Sequence, residues 1–312
     1  MVALIAVDIG GTTMRAASYP DNGTHPLIQK KTNTHSADEV VFDRLVSLIR
    51  SVWPSGEKVT GISVATPGPL DPKTGFIFNA PNIHGWKDFP LGEKLRDVFP
   101  IPSFVGNDAN LAAVGEWKFG AGKGHRDLIY MTISTGIGGG IICNNQLLEG
   151  YLGLAAELGH IVVIPNGPDC PCGRTGHLEA VSSGPAIALY VKQELASGKV
   201  SSLQGIENLT AVEIARAAKD GDNLAIQAFD RAGFYLGLAL ADFVHIFNPS
   251  IIILGGGVSQ SGPLLFEPAK KKLQEEIMDP IYLKDLKIVP AMLGDDAGLL
   301  GAFAYVKEKL NI

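Results

Sequence analysis

Residues 4–19 read LIAVDIGGTTMRAASY: an apolar run ending near Asp8, paired glycines at Gly10 and Gly11, two threonines, and a run that alternates on its way back. The first run predicts a buried strand and the second a return strand, with the glycines at the tip of a hairpin. Residues 127–143, DLIYMTISTGIGGGIIC, repeat the design, with Ser134 and Thr135 ahead of a second glycine-rich tip. Another pair of apolar strands runs into glycine at residues 59–68 (VTGISVATPG) and 249–257 (PSIIILGGG), each after a helical segment. The chain therefore reads as one α/β unit written twice. Helical periodicity at residues 42–52, 110–117, 211–219, 223–247 and 264–277 alternates with these strands, which predicts a sheet flanked by helices in each of two lobes. Residues 223–247 read as a helix buried throughout, and the Ser/Gly-rich stretch 197–205 as a surface connection.

A chain of 312 residues fits two domains of ordinary size. A net charge of -6 gives no basic footprint and argues against nucleic acid as a partner. The most apolar stretch, 232–258, is broken by Asp242, His245, Asn248 and Pro249, so it does not read as a membrane span. Only three cysteines occur and no charged-then-apolar leader precedes Leu4, which predicts a reducing, cytoplasmic setting.

Glycine tips at the carboxyl ends of strands are where α/β sheets take ligands, and two tips facing one another suit a nucleotide. Neither tip fits the GxxxxGK[ST] loop or GxGxxG followed by a helix, so Walker-type and Rossmann readings fail. At Gly10, Gly11, Thr12 and Thr13 the missing side chains let backbone amides approach phosphate oxygens, and the threonine hydroxyls add donors. Asp8 is a candidate to hold Mg2+ through water; the alternative is a turn cap. In residues 104–117, FVGNDANLAAVGEW, Asn107 and Asp108 fall where a strand meets a helix. Asp108 is either a helix cap or a base that accepts a hydroxyl proton during phosphoryl transfer.

Residues 160–179, HIVVIPNGPDCPCGRTGHLE, bring His160, Cys170, Cys172 and His177 together with Glu179 just beyond. Two thiolates and two imidazoles form a closed tetrahedral set for structural Zn2+, whereas cysteines separated by one residue are poorly placed for a disulfide. The alternative is a surface loop with incidental thiols. Glu157, His160 and Glu179 surround this segment and could pair with sugar hydroxyls.

Together DIGGTTMR from Asp8, ATPGPLD from Ala65, APNIHGW from Ala80, GNDANLAAVGEW from Gly106, STGIGGGI from Ser134, AAELGH from Ala155, CPCGRTGHLE from Cys170 and LGGGVS from Leu254 make the chain resemble the ROK sugar kinases along its whole length, the glucokinases among them above all. The resemblance implies an actin-like, ribonuclease-H-like α/β fold. A small domain would span 1–118, completed by a C-terminal helix at 298–312, and a large one 119–297, carrying the zinc segment. It further implies ATP and Mg2+ in the cleft and transfer to the 6-hydroxyl of glucose, or alternatively of N-acetylglucosamine, N-acetylmannosamine, mannose or fructose. Asp108 would be the base. Asn107, Glu157, His160, Glu179 and the turn at Gly68 would meet the sugar, with His84 and Gly85 helping to shape its pocket. Asp8, Gly10 to Thr13, Thr135, Gly136 and Gly138 would meet the phosphates, and Gly256 and Gly257 the adenosine. Relatives of this kind are often homodimers or homotetramers. Some are sugar-responsive regulators with an added amino-terminal DNA-binding domain, for which a hairpin starting at Leu4 leaves no room. The family's zinc pattern usually has a third cysteine where this chain has His177, so either histidine replaces it as ligand or hydrogen bonds hold the loop without zinc.

Overall fold

Near-continuous apolar sequence marks a strand covered on both faces, and β1 (Val2–Ile9) is such a strand, buried from Ala3 to Val7. The computed structural model describes residues 2–37 and 39–312. After β1 come β2 (Thr13–Pro20), β3 (Ile28–Asn33), α1 (Val41–Ser51) and β4 (Lys58–Thr66). The short strands β5 (Leu70–Asp71), β6 (Phe76–Asn79) and β7 (Lys87–Phe89) follow, then α2 (Leu91–Val98), β8 (Ser103–Asn107) and α3 (Asp108–Phe119). The second half runs through β9 (Leu128–Ile133), β10 (Ile137–Cys143), β11 (Gln146–Leu147), α4 (Glu179–Ser182), α5 (Gly184–Ala196), α6 (Ala211–Lys219) and α7 (Asn223–Phe247). It closes with β12 (Ile251–Gly255), α8 (Pro263–Glu276), β13 (Lys287–Pro290) and α9 (Ala297–Leu310).

The duplication is visible strand by strand. The first sheet has the order β3-β2-β1-β4-β8 and the second β11-β10-β9-β12-β13. In each, the hairpin partners are antiparallel and the two strands on the far side are parallel. The two tips, at residues 10–12 and 134–136, thus occupy equivalent places in equivalent sheets. The three-stranded sheet β5-β6-β7 is inserted after β4.

Helix α3 is buried along Ala109 to Trp117, with Asn110 and Glu116 among the buried residues. It packs on β9 and β10 of the second sheet, and also against α9, which in turn covers β1 and β4 of the first. The contact between α3 and α9 depends on paired glycines. A Cβ on Gly115 would lie 2.3 Å from the carbonyl oxygen of Ala297, and one on Gly301 would lie 1.7 Å from that of Leu111. At the end of α3, buried Glu116 accepts backbone amides from Ala121, Met292 and Leu293, fastening the helix to the approach to α9.

Two expectations are corrected. Helix α7 is not buried throughout, since Phe234 is 42% and Ile246 69% exposed. The helices beside it cover part of its circumference and leave an outer face to solvent. The connection at 197–205 is not wholly superficial, because Leu203 is buried and joins the core of the second lobe. Among the described residues no helix is long and apolar enough to cross a membrane.

Candidate active site

The first tip is closed by the Gly10 amide donating to the Thr13 carbonyl at 2.9 Å. Thr34 braces it from outside, its hydroxyl donating to the Gly10 carbonyl at 2.6 Å and its amide to that of Thr12 at 2.8 Å. Asp8 stands at the end of β1 and does not cap this turn; its Oδ2 pairs with the Arg15 guanidinium at 2.6 Å. Arg15 also donates to the Asp295 carbonyl and reaches Asp296 at 3.5 Å. Burial raises the Asp8 carboxyl above the usual carboxylate range, with Arg15 opposing and Asp295 and Asp296 adding to the rise. Arg15 lies inside a quoted motif, but nothing in its spacing marks it as the partner of Asp8. That pairing follows from the β1–β2 register, which sets the two residues opposite one another.

At the start of α3 the capping duty falls on Asn107, whose Oδ1 accepts the Asn110 amide at 3.1 Å while its Nδ2 reaches the Gly68 carbonyl at 3.4 Å. Asp108 accepts the neighbouring Ala109 amide, at 2.8 Å. Burial pushes its carboxyl up to about 6; the Ala109 amide opposes this, and the charges of Asp8 and Glu157 raise it further. The same influences put Asp8 and Glu157 within electrostatic reach of Asp108, although the three come from separate segments. A carboxylate with a pKa near neutrality suits proton acceptance, because a general base works best with a pKa close to the working pH.

In the second tip the Ser134 amide donates to the Gly136 carbonyl and the Gly184 amide to the Ser134 carbonyl, both at 2.8 Å. Thr135 is exposed, and Gly138 faces the start of α3, where a Cβ would stand 3.0 Å from that of Ala109. Gly256 has φ +84°, a conformation open to glycine, and sits against the Ile133 backbone. Beside Gly257 and Ser134 opens a cavity of about 520 Å³, walled by Pro185, Thr210, Val212, Ala215, Arg216 and Gln260 among others. Its size and largely apolar walls suit a ring system the size of a nucleobase with its sugar. The reading of the sequence missed this wall. It comes largely from α6, an ordinary amphipathic helix opened by a capping box at Thr210 and Glu213, and no local signal distinguishes it from a structural helix.

The segment 160–179 folds back on itself, Val162 pairing with His177 and Asp169 with Thr175 as isolated bridges. A turn in which the Cys170 amide donates to Arg174 at 2.7 Å presents both thiols. The Cys170 sulfur lies 3.7 Å from His160 Nδ1 and the Cys172 sulfur 3.3 Å from His177 Nδ1, and all four ligand atoms lie within 4.8 Å of one another. Ligands at zinc distances span tetrahedral edges of roughly 3.3–3.8 Å, a range that holds both sulfur–nitrogen pairs, so the donor set fits Zn2+ in chemistry and in these two spacings. Burial pushes the Cys170 thiol up to about 12, and burial lowers His177, keeping its imidazole neutral and open to a cation. All three cysteines are free thiols.

Because His160 Nδ1 faces the cluster, its other nitrogen is left for a second partner. Glu157 follows Ala156, whose φ of 68° is uncommon for a residue with a side chain. Such outliers collect where a site dictates the backbone. Glu179 Oε2 accepts the Ile137 amide at 2.7 Å, so this carboxylate touches the second tip. His84 and Gly85 are exposed on the turn between β6 and β7.

The pattern of the ROK family matches residues 4–309. Among curated proteins, the glucokinase of Thermotoga maritima is 38% identical over 313 aligned residues, covering 99% of this chain and 98% of its own. The xylose repressor of Bacillus subtilis is 30% identical over 97% of this chain and 76% of its own. Among solved structures, a ROK family glucokinase from Streptomyces griseus in complex with glucose and AMPPNP is 36% identical. It superimposes with a TM-score of 0.80, covering 98% of this chain and 99% of its own.

Proposed function

The chain belongs to the ROK family and is an ATP-dependent kinase of glucose with the actin-like fold, and from that premise we propose that Asp108 is its general base. The observation that carries this reading is the Asp108 carboxyl at the start of α3, raised to about 6 by burial and by the charges of Asp8 and Glu157 and relieved of capping by Asn107. Asp108 accepts the proton of the glucose 6-hydroxyl as its oxygen attacks the γ-phosphorus in line and ADP departs. Asn107, Glu157, His160 and Glu179 pair with the remaining sugar hydroxyls, near the turn at Gly68. Amides and hydroxyls at Gly10 to Thr13 and Thr135 to Gly138 hold the phosphates, while Gly256, Gly257 and the cavity beside α6 take the adenosine. Positioning and charge neutralisation supply most of the rate, as in phosphoryl transfer generally.

Asp8, a carboxylate at the lip of the phosphate tip, suits a hydrated Mg2+, which when bound neutralises phosphate charge. Its pairing with Arg15 keeps the carboxylate oriented. His160, Cys170, Cys172 and His177 would hold a structural Zn2+ that fixes the sugar-binding loop. The lobes divide at residues 1–118 with 298–312 against 119–297, and their closure on sugar excludes water. The free thiols agree with a reducing cytoplasm, and the family resemblance points to a homodimer or homotetramer. A sugar-responsive regulator is the weaker reading, since the repressor relative is 30% identical against 38% for the glucokinase.

The test is ADP release from MgATP across glucose, mannose, fructose and the N-acetylhexosamines, with Asp108→Asn as control. Glucose turnover that falls about 10²- to 10⁴-fold in the variant supports the assignment. Retained turnover removes Asp108 from the role, and turnover confined to another sugar changes the substrate while keeping the mechanism.

A further inference from the structure

We infer that Glu179 is a positioning residue through which the His160–Cys170–Cys172–His177 cluster sets the loop between β9 and β10, so that metal held by the cluster governs nucleotide affinity even with no sugar present. The inference rests on the zinc and phosphate-loop readings given above.

Four contacts join the two regions. Glu179 Oε2 accepts the amide of Ile137, the first residue of β10 after the tip, at 2.7 Å. The other oxygen, Oε1, lies 3.7 Å from the Cys170 sulfur. The carboxylate therefore spans the space between a ligand of the cluster and the backbone of the tip. Gly136 is pressed against the same carboxylate, a Cβ there standing 2.6 Å from Oε2. On the opposite side of the Ile137 residue, Gly159 packs so closely that a Cβ would come within 2.1 Å of the Ile137 carbonyl oxygen, and Gly159 directly precedes the ligand His160. The amide and the carbonyl of Ile137 are thus both gripped by the segment that carries the ligands.

The far side of the tip is held independently, by the Gly184 amide on the Ser134 carbonyl at 2.8 Å. Loosening the cluster therefore frees one anchor of the tip and leaves the other, which shifts the amides and hydroxyls of Thr135 to Gly138 without unravelling the sheet. A preorganised loop binds more tightly than one that must be ordered on binding, and this ties metal content to nucleotide affinity.

The test uses the full chain without sugar, so that any part Glu179 plays in sugar binding is silent. Metal content is assayed in loaded and chelator-treated protein, each is titrated calorimetrically with the magnesium complex of a non-hydrolysable ATP analogue, and hydrogen exchange is followed at the Ile137 amide. Stripping the metal should weaken the analogue about tenfold, the scale of one lost hydrogen bond to a charged acceptor, and speed exchange at Ile137. Glu179→Ala should keep its metal, bind the analogue about as weakly as stripped wild type, and no longer respond to chelation. Glu179→Gln, whose amide oxygen can still accept from Ile137, should restore most of the affinity. If Glu179→Ala does not fold, the Gln variant and exchange in the wild type decide the matter.

Equal affinity of loaded and stripped protein, with metal shown to be present in the first, overturns the coupling and leaves the zinc site standing. An undiminished response to chelation in Glu179→Ala also overturns it. Protein that holds no metal and takes up none from added Zn2+ overturns the zinc reading and the coupling together.

Discussion

Asn107 caps α3 by accepting the Asn110 amide at 3.1 Å, and in doing so leaves the adjacent Asp108 carboxylate bonded only locally, to the amides at the very start of the helix. The two functions that compete for a polar residue at a helix start are divided between neighbours. Asn107→Ser should therefore keep the cap and most of the stability while raising KM for sugar. Asn107→Ala should raise KM and also lose about 1 kcal/mol of stability. Urea denaturation together with sugar kinetics separates the two effects.

The Asp108 carboxyl is raised from 3.8 to about 6, and the proton-accepting form is the ionised one. The kcat/KM profile should therefore fall on its acid side with an apparent pKa near 6. Stability takes the opposite sign. The native state binds this proton more tightly than the unfolded chain does, so the cost of the ionised buried carboxylate is absent below about 3.8 and complete above about 6. Asp108→Asn should consequently melt higher than wild type at pH 7, despite losing activity. A lower melting temperature would show that the carboxylate has stabilising contacts that outweigh its burial.

Ala215 lines the cavity beside Gly257 from α6. Ala215→Trp should fill the proposed adenosine pocket and raise KM for ATP about tenfold or more, the penalty expected of overpacking a formed site. Sugar affinity should stay unchanged. Equal loss for both substrates, read by calorimetry, would point to a general disturbance of the lobe.

His177 supplies the imidazole 3.3 Å from the Cys172 sulfur. His177→Ala should lose bound zinc and lower the melting temperature, whereas His177→Cys should retain zinc. Elemental analysis and thermal melting check both, and zinc retained in the Ala variant would mean that His177 is not a ligand.

Gly301→Ala places a Cβ 1.7 Å from the Leu111 carbonyl oxygen. The helices must separate, at a cost of about 1–3 kcal/mol, and kcat should fall because α3 carries Asp108. Denaturant titration and turnover measured on the same preparation test this.

The alternation of strands and helices is legible in the sequence because β1, β9 and β12 are buried on both faces and so carry largely apolar runs that lead into glycine-rich tips. Asp8 and Asp108 stand out because each is a carboxylate at a strand-to-turn or strand-to-helix junction. The four candidate zinc ligands are also legible, lying close together along the chain. What converges from afar is not. Arg15 meets Asp8 through strand register, Ile137 meets Glu179 across 42 positions, and the cavity wall on α6 has the periodicity of any amphipathic helix. Exposure of one face of α7 depends on which neighbours pack against it, which periodicity alone does not specify.

The Gly115 and Gly301 contacts have a consequence for the order of events on the ribosome. The helix that begins with the proposed base is laid down early in synthesis, yet part of the surface it rests on is made by α9, which emerges much later. The cleft can acquire its final shape only once α9 has emerged. A nascent chain stalled before α9 would carry Asp8, Asp108 and the proposed zinc segment, yet lack one side of the support that holds α3 in place. Kinase activity should therefore appear abruptly once α9 has emerged and not rise gradually as the chain lengthens.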